Sequence, residues 1–252
     1  MSTTLENGAI ATVENRPSQL RCAMPRSYEP PTAVERGLDH LPGRHRHCSA
    51  IVNRGRADGC CCRFGHNCDV PVTVTAVELA AHVRRLRDGT PRTVLVAIDG
   101  EGGAGKSTLA SLLAATLGGA TVVCLDDFAR PTVPGWDRQR MIRQVLDPLR
   151  TGRPGRYQRW DWATDAGAEW HDVPTGGVVI VEGVSATRQD LSDRWDLTVW
   201  VSTPRDLRLE RGLARDGDAM RRQWLDVWMP EEDAYVAGER PAERADFIVD
   251  GR

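Results

Sequence analysis

The stretch Thr93-Val94-Leu95-Val96-Ala97-Ile98-Asp99-Gly100-Glu101-Gly102-Gly103-Ala104-Gly105-Lys106-Ser107-Thr108 decides the fold of this chain. Thr93–Ile98 is a continuous apolar run of strand length. Gly100–Ser107 then fits G-x-x-x-x-G-K-[ST], the Walker A pattern, at every fixed position. Lys106–Leu117 reads as a helix, stopped by Gly118-Gly119. Strand, glycine loop and helix in that order separate a phosphate loop from a chance match. In such a loop the backbone N–H groups point into one concavity, and the helix start adds favourable partial charge for an anion.

Lys106 is the only lysine; all the rest of the 33 Lys plus Arg are arginine. A phosphate loop needs a slim, extendable ammonium beside the β- and γ-phosphates, a place that the broad planar fork of arginine cannot take. The expected ligand is therefore ATP with Mg²⁺. Gly100, Gly102, Gly103, Ala104, Gly105, Lys106, Ser107 and Thr108 form its cradle, with the Ser107 hydroxyl on Mg²⁺.

Outward from the loop, the rest of the chain divides in two. Residues 1–70 hold six of the seven cysteines and four of the six histidines but none of the eight tryptophans. They are broken by Pro17, Pro25, Pro30, Pro31 and Pro42 and show no helical or strand period, which suits a disordered N-terminal arm. Cys48, Cys60, Cys61, Cys62, His66 and Cys68 contain enough zinc ligands, but C-C-C-x₃-H-x-C is not a zinc-module spacing. A non-native extension, with the true start near Val70 or Val72, is a further reading. Residues 71–252 form the second part, a single α/β domain.

Within that domain apolar strands alternate with helices. Ala76–Arg87 reads as an amphipathic helix. Thr121–Leu125, Val178–Val181, Leu197–Val201 and Phe247–Val249 read as further strands, with helices at Asp137–Leu149 and Asp206–Arg215. This alternation predicts a three-layer α/β sandwich around a mostly parallel sheet, with ligands beyond the carboxyl ends of the strands. Asp126, Asp127 and Glu182 fall there. A carboxylate facing the γ-phosphate can orient an acceptor hydroxyl and take its proton; an Asp pair can also simply cap a turn. Glu182 can hold Mg²⁺ through water. Arg208, Arg211 and Arg215 lie at helical spacing, as a solvated stripe or as a lid that offsets charge on a transferred phosphoryl group. Trp136, Tyr157, Trp160, Trp162 and Trp170 could wall a planar ligand.

These pieces in this order resemble the uridine kinase family, with its relatives phosphoribulokinase and bacterial pantothenate kinase. Val96-Ala97-Ile98-Asp99-Gly100 is similar to the family's opening. Leu125-Asp126-Asp127-Phe128 resembles its Asp-x-Phe element, which implies Asp126 as catalytic base. Gly135-Trp136-Asp137 resembles an aromatic-Asp pair, which implies that Asp137 holds ribose hydroxyls. Pro154-Gly155-Arg156-Tyr157 is similar to a Pro-x-Tyr segment near the nucleobase, and Val181-Glu182-Gly183-Val184 to the Glu-Gly-Ile strand end. Arg208-Leu209-Glu210-Arg211 through Arg215-Asp216 resembles the lid, which implies transition-state roles for Arg211 and Arg215. The chain departs from the pattern at Ala129, where the family has Tyr. It has Trp160-Asp161-Trp162 where a base-reading His is usual, and Arg211-Gly212 where the lid has paired arginines.

The resemblance implies a P-loop kinase fold and phosphoryl transfer from ATP to a primary hydroxyl, first of all a nucleoside 5′-OH. A pantothenate-like or sugar-like alcohol and an ATP-hydrolysing regulator are the alternatives. The expected partner is a small-molecule hydroxyl acceptor; self-association into a homo-oligomer is compatible with the sequence. A net charge of −2 and pI near 6.3 give no basic field for nucleic acid. No apolar run of roughly 18 residues exists for a membrane span, and the polar N-terminus has no signal-peptide core, so a cytoplasmic location is expected.

Replacing Lys106 by Ala is expected to abolish transfer and weaken ATP binding with little effect on the urea midpoint. Lys106→Arg is expected to fail as well, for geometric reasons. Near-normal turnover of the arginine variant in an ADP-release assay would contradict this reading of the loop.

Overall fold

A computed structural model describes residues 71–252 except 131, 134, 162 and 163. The N-terminal arm and its cysteine cluster lie outside the described residues. In chain order the elements begin with β1 (Val72–Thr73), α1 (Ala76–Asp88), β2 (Val94–Asp99), α2 (Lys106–Thr116) and β3 (Thr121–Cys124). A 3₁₀ turn, Leu125–Phe128, leads toward α3 (Arg138–Met141), a π-helical turn Ile142–Leu146 and α4 (Asp147–Arg150). Then come β4 (Gly155–Asp161), β5 (Ala166–Val173), β6 (Val178–Glu182), a 3₁₀ segment Gln189–Arg194 and β7 (Leu197–Ser202). The chain ends with α5 (Arg205–Asp216), α6 (Arg221–Gln223), a π-helical turn Trp224–Trp228, α7 (Met229–Glu239), α8 (Pro241–Arg244) and β8 (Phe247–Asp250).

Six strands form one sheet in the order β1-β8-β7-β2-β6-β3, every pairing parallel. The period of two along β2 shows why the sheet is covered on both faces. Val94, Val96 and Ile98 enter one core with Leu79 and Val83 of α1 and Leu109 and Leu113 of α2. Leu95 and Ala97 enter the other with Met141, Val145, Leu146 and Phe128. A strand buried on both faces has no place for alternation of polar residues, hence its continuous apolar reading. Parallel register aligns the ends of the strands: Ile98 pairs with Glu182 and Asp99 with Trp200. The phosphate loop, the 3₁₀ turn after β3 and the loop after β6 therefore emerge along one edge.

Each π turn runs straight into a helix with proline at its second residue, Pro148 in α4 and Pro230 in α7. Proline lacks the N–H and its ring crowds the carbonyl one turn back, and a widened turn absorbs both defects without ending the helix. The helix expected over Asp137–Leu149 is thus three joined pieces.

β4 and β5 form a separate antiparallel hairpin, with an irregularity between Gln158 and Trp160. The aromatic segment expected to be irregular is this hairpin. Its residues Arg156, Glu169 and Trp170 are exposed, while Tyr157 and Val173 reach the core, so neither strand carries a clean apolar alternation.

One buried carboxylate binds the strand edge together. Asp99, fully buried at the end of β2, accepts from the Gly100 and Ser185 N–H groups through Oδ1, at 2.7 and 2.8 Å. Its Oδ2 accepts from the Thr187 N–H at 2.9 Å and from the Thr187 and Tyr235 hydroxyls, both at 2.7 Å. Asp99→Ala would strand five donors in the interior. The expected destabilisation is about 3–5 kcal/mol, read as a drop in the urea midpoint; a change within about 1 kcal/mol would show that the network is dispensable.

Candidate active site

The phosphate loop runs from Gly100 to Lys106 under α5. A Cβ at Gly103, where φ is +74°, would stand 2.4 Å from the Arg208 carbonyl oxygen, so only glycine fits that contact. Gly105 (φ +99°) turns the chain into α2. The Ala104 carbonyl accepts from the Thr203 hydroxyl at 2.9 Å, which fixes the loop to the end of β7. Lys106 is buried, and its Nζ donates to the Glu101 carbonyl at 2.9 Å, folding back over its own loop. The Ser107 hydroxyl donates to Glu182 Oε1 at 2.9 Å.

The acids divide by direction. Asp126 lines the cleft. Burial pushes its carboxyl above the usual aspartate range, while the positive charges of Lys106 and Arg215 pull it down. Asp127 accepts from the Tyr157 hydroxyl at 2.8 Å through Oδ2, and its backbone carbonyl accepts from Arg140 Nη2 at 2.8 Å. Consecutive residues in a tight turn diverge, so Asp126 faces the cleft while Asp127 is taken by Tyr157 and is not on the cleft lining. Glu182 lies at the end of β6, also on the cleft. Burial pushes it up to about 7, against the opposing pull of Lys106.

The arginines at helical spacing on α5 have three different situations. Arg208 is buried and paired with Glu101 at 2.7 Å and Glu232 at 3.2 Å, a structural clamp off the cleft. Arg211 and Arg215 line the cleft. Arg211 Nη1 donates to the Gly251 carbonyl at 2.7 Å, whereas Arg215 pairs with Asp216 at 2.7 Å and lies over the Trp224 ring. A Cβ at Gly212 would meet that same indole at 2.4 Å. The second lid arginine expected from the resemblance is therefore glycine because Trp224 packs there.

The opposite wall was not legible beforehand. The helical run from the π turn into α7 turns Trp224, Trp228, Glu231, Glu232 and Tyr235 toward the cleft, at steps of four, three, one and three residues. That spacing is the one signal that could have found it. Glu232 Oε1 accepts from the Gly102 N–H at 2.9 Å, so this helix grips the phosphate loop directly. Trp136 closes the side near β3, with its indole N–H donating to the Ser185 hydroxyl at 3.0 Å. The cleft has a volume of about 790 Å³.

Four expected ligand contacts are off the cleft lining, the first being Ala104, whose N–H donates to the Glu101 carbonyl at 3.1 Å. Asp137 is off the cleft lining, and its Oδ1 accepts from the Arg140 N–H at 2.9 Å as the cap of α3. Tyr157 is buried against Phe128, with its hydroxyl on Asp127. Gly100 serves through its N–H to Asp99. Trp160 and Trp170 belong to the hairpin, and Trp162 lies outside the described residues. The hairpin instead brings His171 opposite Tyr157, rings stacked at 5.2 Å, although no histidine follows Tyr157 closely in sequence.

Among the described residues, no group of three or more His, Cys, Asp or Glu could hold a metal by itself. The donor set suits Mg²⁺ arriving with a nucleotide, a hard cation that takes one or two protein oxygens and completes its shell with phosphate and water. Ser107 Oγ would be such an oxygen, and Glu182, whose Oε1 accepts from it at 2.9 Å, would hold the cation through water. Among the described residues, no helix is long and apolar enough to cross a membrane.

Glu182 makes the nucleotide-free protein pH-sensitive. Its folded value of about 7 lies above the ordinary 4.5, so the folded state binds the extra proton. Its contribution to stability is full below about pH 4.5 and is lost as pH rises through about 7, by about 3 kcal/mol. Glu182→Gln should flatten the fall of the urea midpoint between about pH 5 and pH 8. Asp126, Asp127 and Glu232, also pushed up by burial, keep a residual slope of the same sign. Parallel profiles for the two proteins would disprove this assignment.

No protein-family model matches the chain, and no curated protein does. Among solved structures it is similar to a possible uridine kinase from Bacillus stearothermophilus, at 22% identity and a TM-score of 0.50, over 69% of this chain and 100% of that one. It is also similar to a candidate fructose transport system kinase from Silicibacter sp. TM1040, at 25% identity and a TM-score of 0.49, over 69% of this chain and 98% of that one. The chain shares the fold of the first of these structures, a parallel α/β sheet covered on both faces, and the resemblance to the uridine kinase family holds at that level.

Proposed function

We propose that this protein is an ATP- and Mg²⁺-dependent kinase that transfers the γ-phosphoryl group to a primary hydroxyl of a small alcohol. One observation carries the reading: a single cleft holds Lys106, Ser107, Arg211 and Arg215 around the phosphate loop and sets Asp126 at the neighbouring strand end. A nucleotide-binding regulator would need the loop but not the carboxylate.

The triphosphate lies in the loop against its N–H groups, and Lys106 exchanges the Glu101 carbonyl for phosphate oxygen. Asp126 accepts the proton of the acceptor hydroxyl as its oxygen bonds to the γ-phosphorus and the bond to ADP breaks. Arg211 and Arg215 offset the charge that builds on the transferred group. Mg²⁺ on Ser107 and, through water, Glu182 supplies further neutralisation of the β- and γ-phosphates. Water is kept from the reaction by Trp136, Trp224 and Trp228 around the cleft. A nucleoside 5′-OH is the acceptor that the motif resemblance favours; the capping role of Asp137 leaves the ribose without its expected partner on the cleft wall.

The test is acceptor-stimulated ADP release across nucleosides, sugars, pantothenate and amino alcohols. Asp126→Asn is expected to lower kcat by about 10²-fold or more with little change in acceptor KM. Asp127→Asn, which keeps an acceptor for the Tyr157 hydroxyl, should stay within about threefold of wild type. A larger loss for Asp127→Asn would reverse the assignment, and ADP release indifferent to every acceptor would replace the kinase with an ATPase.

A further inference from the structure

We infer that the acceptor is an alcohol carrying a protonated amine, seated against Glu231 among the rings of Trp136, Trp228 and Tyr235; this rests on the kinase reading above. The helix Trp224–Glu239 begins over the phosphate loop, where Trp224 meets Gly102, and reaches the loop after β6, where the Tyr235 hydroxyl meets Asp99. Trp228 and Glu231 lie between these two ends and line the same cleft as Asp126. This is where an acceptor must sit to face both the γ-phosphate and the base.

The wall offers π surface and negative charge. The Trp136 indole N–H is taken by Ser185 and the Tyr235 hydroxyl by Asp99, so their polar handles are spent within the protein and ring surface is left for the ligand. Trp228 stands edge-on to Trp224, centroids 5.3 Å apart. Ring faces attract cations, most of all ammonium groups shed of some water.

Glu231 lies on the cleft as an exposed side chain and has no hydrogen bond or ion pair among the described residues. The partial burial it has pushes its carboxyl up, with no cation to offset it. Nor does it serve a helix N-terminus: the chain is already helical through Trp224–Trp228, so the first turn of α7 has no free N–H groups there. Among the described residues the cation on this part of the wall is Arg188, which pairs with Glu239 at 3.1 Å, has the Asp190 carboxylate 3.6 Å from its Nε, and lies over Tyr235. With Arg188 offset, Asp126 and Glu231 leave the acceptor end negative. An anionic alcohol is repelled, a neutral one gains nothing from Glu231, and an ammonium gains from both the carboxylate and the rings.

Two matched series test this at constant skeleton: glucosamine, glucose and gluconate, then 2-aminoethanol, ethylene glycol and glycolate, each with a primary hydroxyl. With full-length protein and saturating ATP and Mg²⁺ at pH 7, kcat/KM should favour the amine over the neutral member by tenfold or more. The anionic member should be poorest, and Glu231→Gln should bring the amine-to-neutral ratio near one. A neutral or anionic preference, or a ratio unchanged in Glu231→Gln, overturns the inference and leaves the kinase standing. In a second arm, tetramethylammonium chloride is titrated into protein without nucleotide and followed by calorimetry against sodium chloride. Saturable binding that weakens in Trp228→Leu and Glu231→Gln supports the cation site even if no alcohol stimulates ADP release, an outcome that would remove the kinase reading alone. No binding, with no amine preference, removes the site.

Discussion

The carboxylate of Asp99 is the constraint on which the cleft depends. It is fully buried and receives five hydrogen bonds from three separate parts of the chain. Gly100 starts the phosphate loop, Ser185 and Thr187 belong to the loop after β6, and Tyr235 belongs to α7. A buried charge is tolerated only where hydrogen bonds replace its hydration. That requirement turns an energetic liability into a positional rule: these three segments must converge on one point. Ser185, held there with φ at +63°, then accepts from the Trp136 indole. One acid thereby sets the back of the cleft, one side wall and the far end of the helix Trp224–Glu239.

The near end of that helix is fixed by close packing. Trp224 fills the space above Gly102 and Gly212, where a methyl group on either glycine would overlap the indole. Its N–H goes to Asp216 at 3.0 Å, and the Arg215 guanidinium lies over its ring. Glu232 adds a charge-assisted hydrogen bond to Gly102 and an ion pair to Arg208. The helix Trp224–Glu239 is consequently part of the phosphate loop's own packing, through Trp224 and Glu232 at Gly102. Burial pushes the Glu232 carboxyl up, and the Gly102 hydrogen bond and the Lys106 and Arg208 charges oppose that.

What could be read from the sequence followed from how local the constraint was. The phosphate loop, the strands buried on both faces and the acids at strand ends could all be read, because backbone geometry and register decide them within a few residues. The different surroundings of Asp126 and Asp127 could not: they depend on Tyr157, some thirty positions later, donating to Asp127. Asp137 matched a motif, yet the structure uses it as a helix cap, a competition that short polar side chains often settle in favour of the backbone. The hairpin escaped because its strands rest on the core at only a few points. The helix Trp224–Glu239 escaped because its cleft face mixes Trp, Glu and Tyr, which no hydrophobic period marks, and because Pro230 follows a π turn that hides the helix from a 3.6-residue count.

The chain's use of arginine and lysine follows the same division between what stays and what exchanges. Arg208 is held by two carboxylates, Arg140 donates to the carbonyls of Asp127 and Gln158, and Arg188 is held by Glu239 and Asp190. A planar guanidinium with five donors is suited to bridging partners that never leave. Lys106 has one bond, to the carbonyl of a loop residue five positions away. A point charge on a flexible stem can give up that single neutral partner for a phosphate oxygen without breaking an ion pair. Its Coulomb gain on meeting the triphosphate is then opposed by one backbone hydrogen bond, a net term of about 1 kcal/mol. Arginine in that place would bring more donors than the loop can satisfy before the nucleotide arrives. A chain that otherwise avoids lysine keeps it at the one position where the partner has to change.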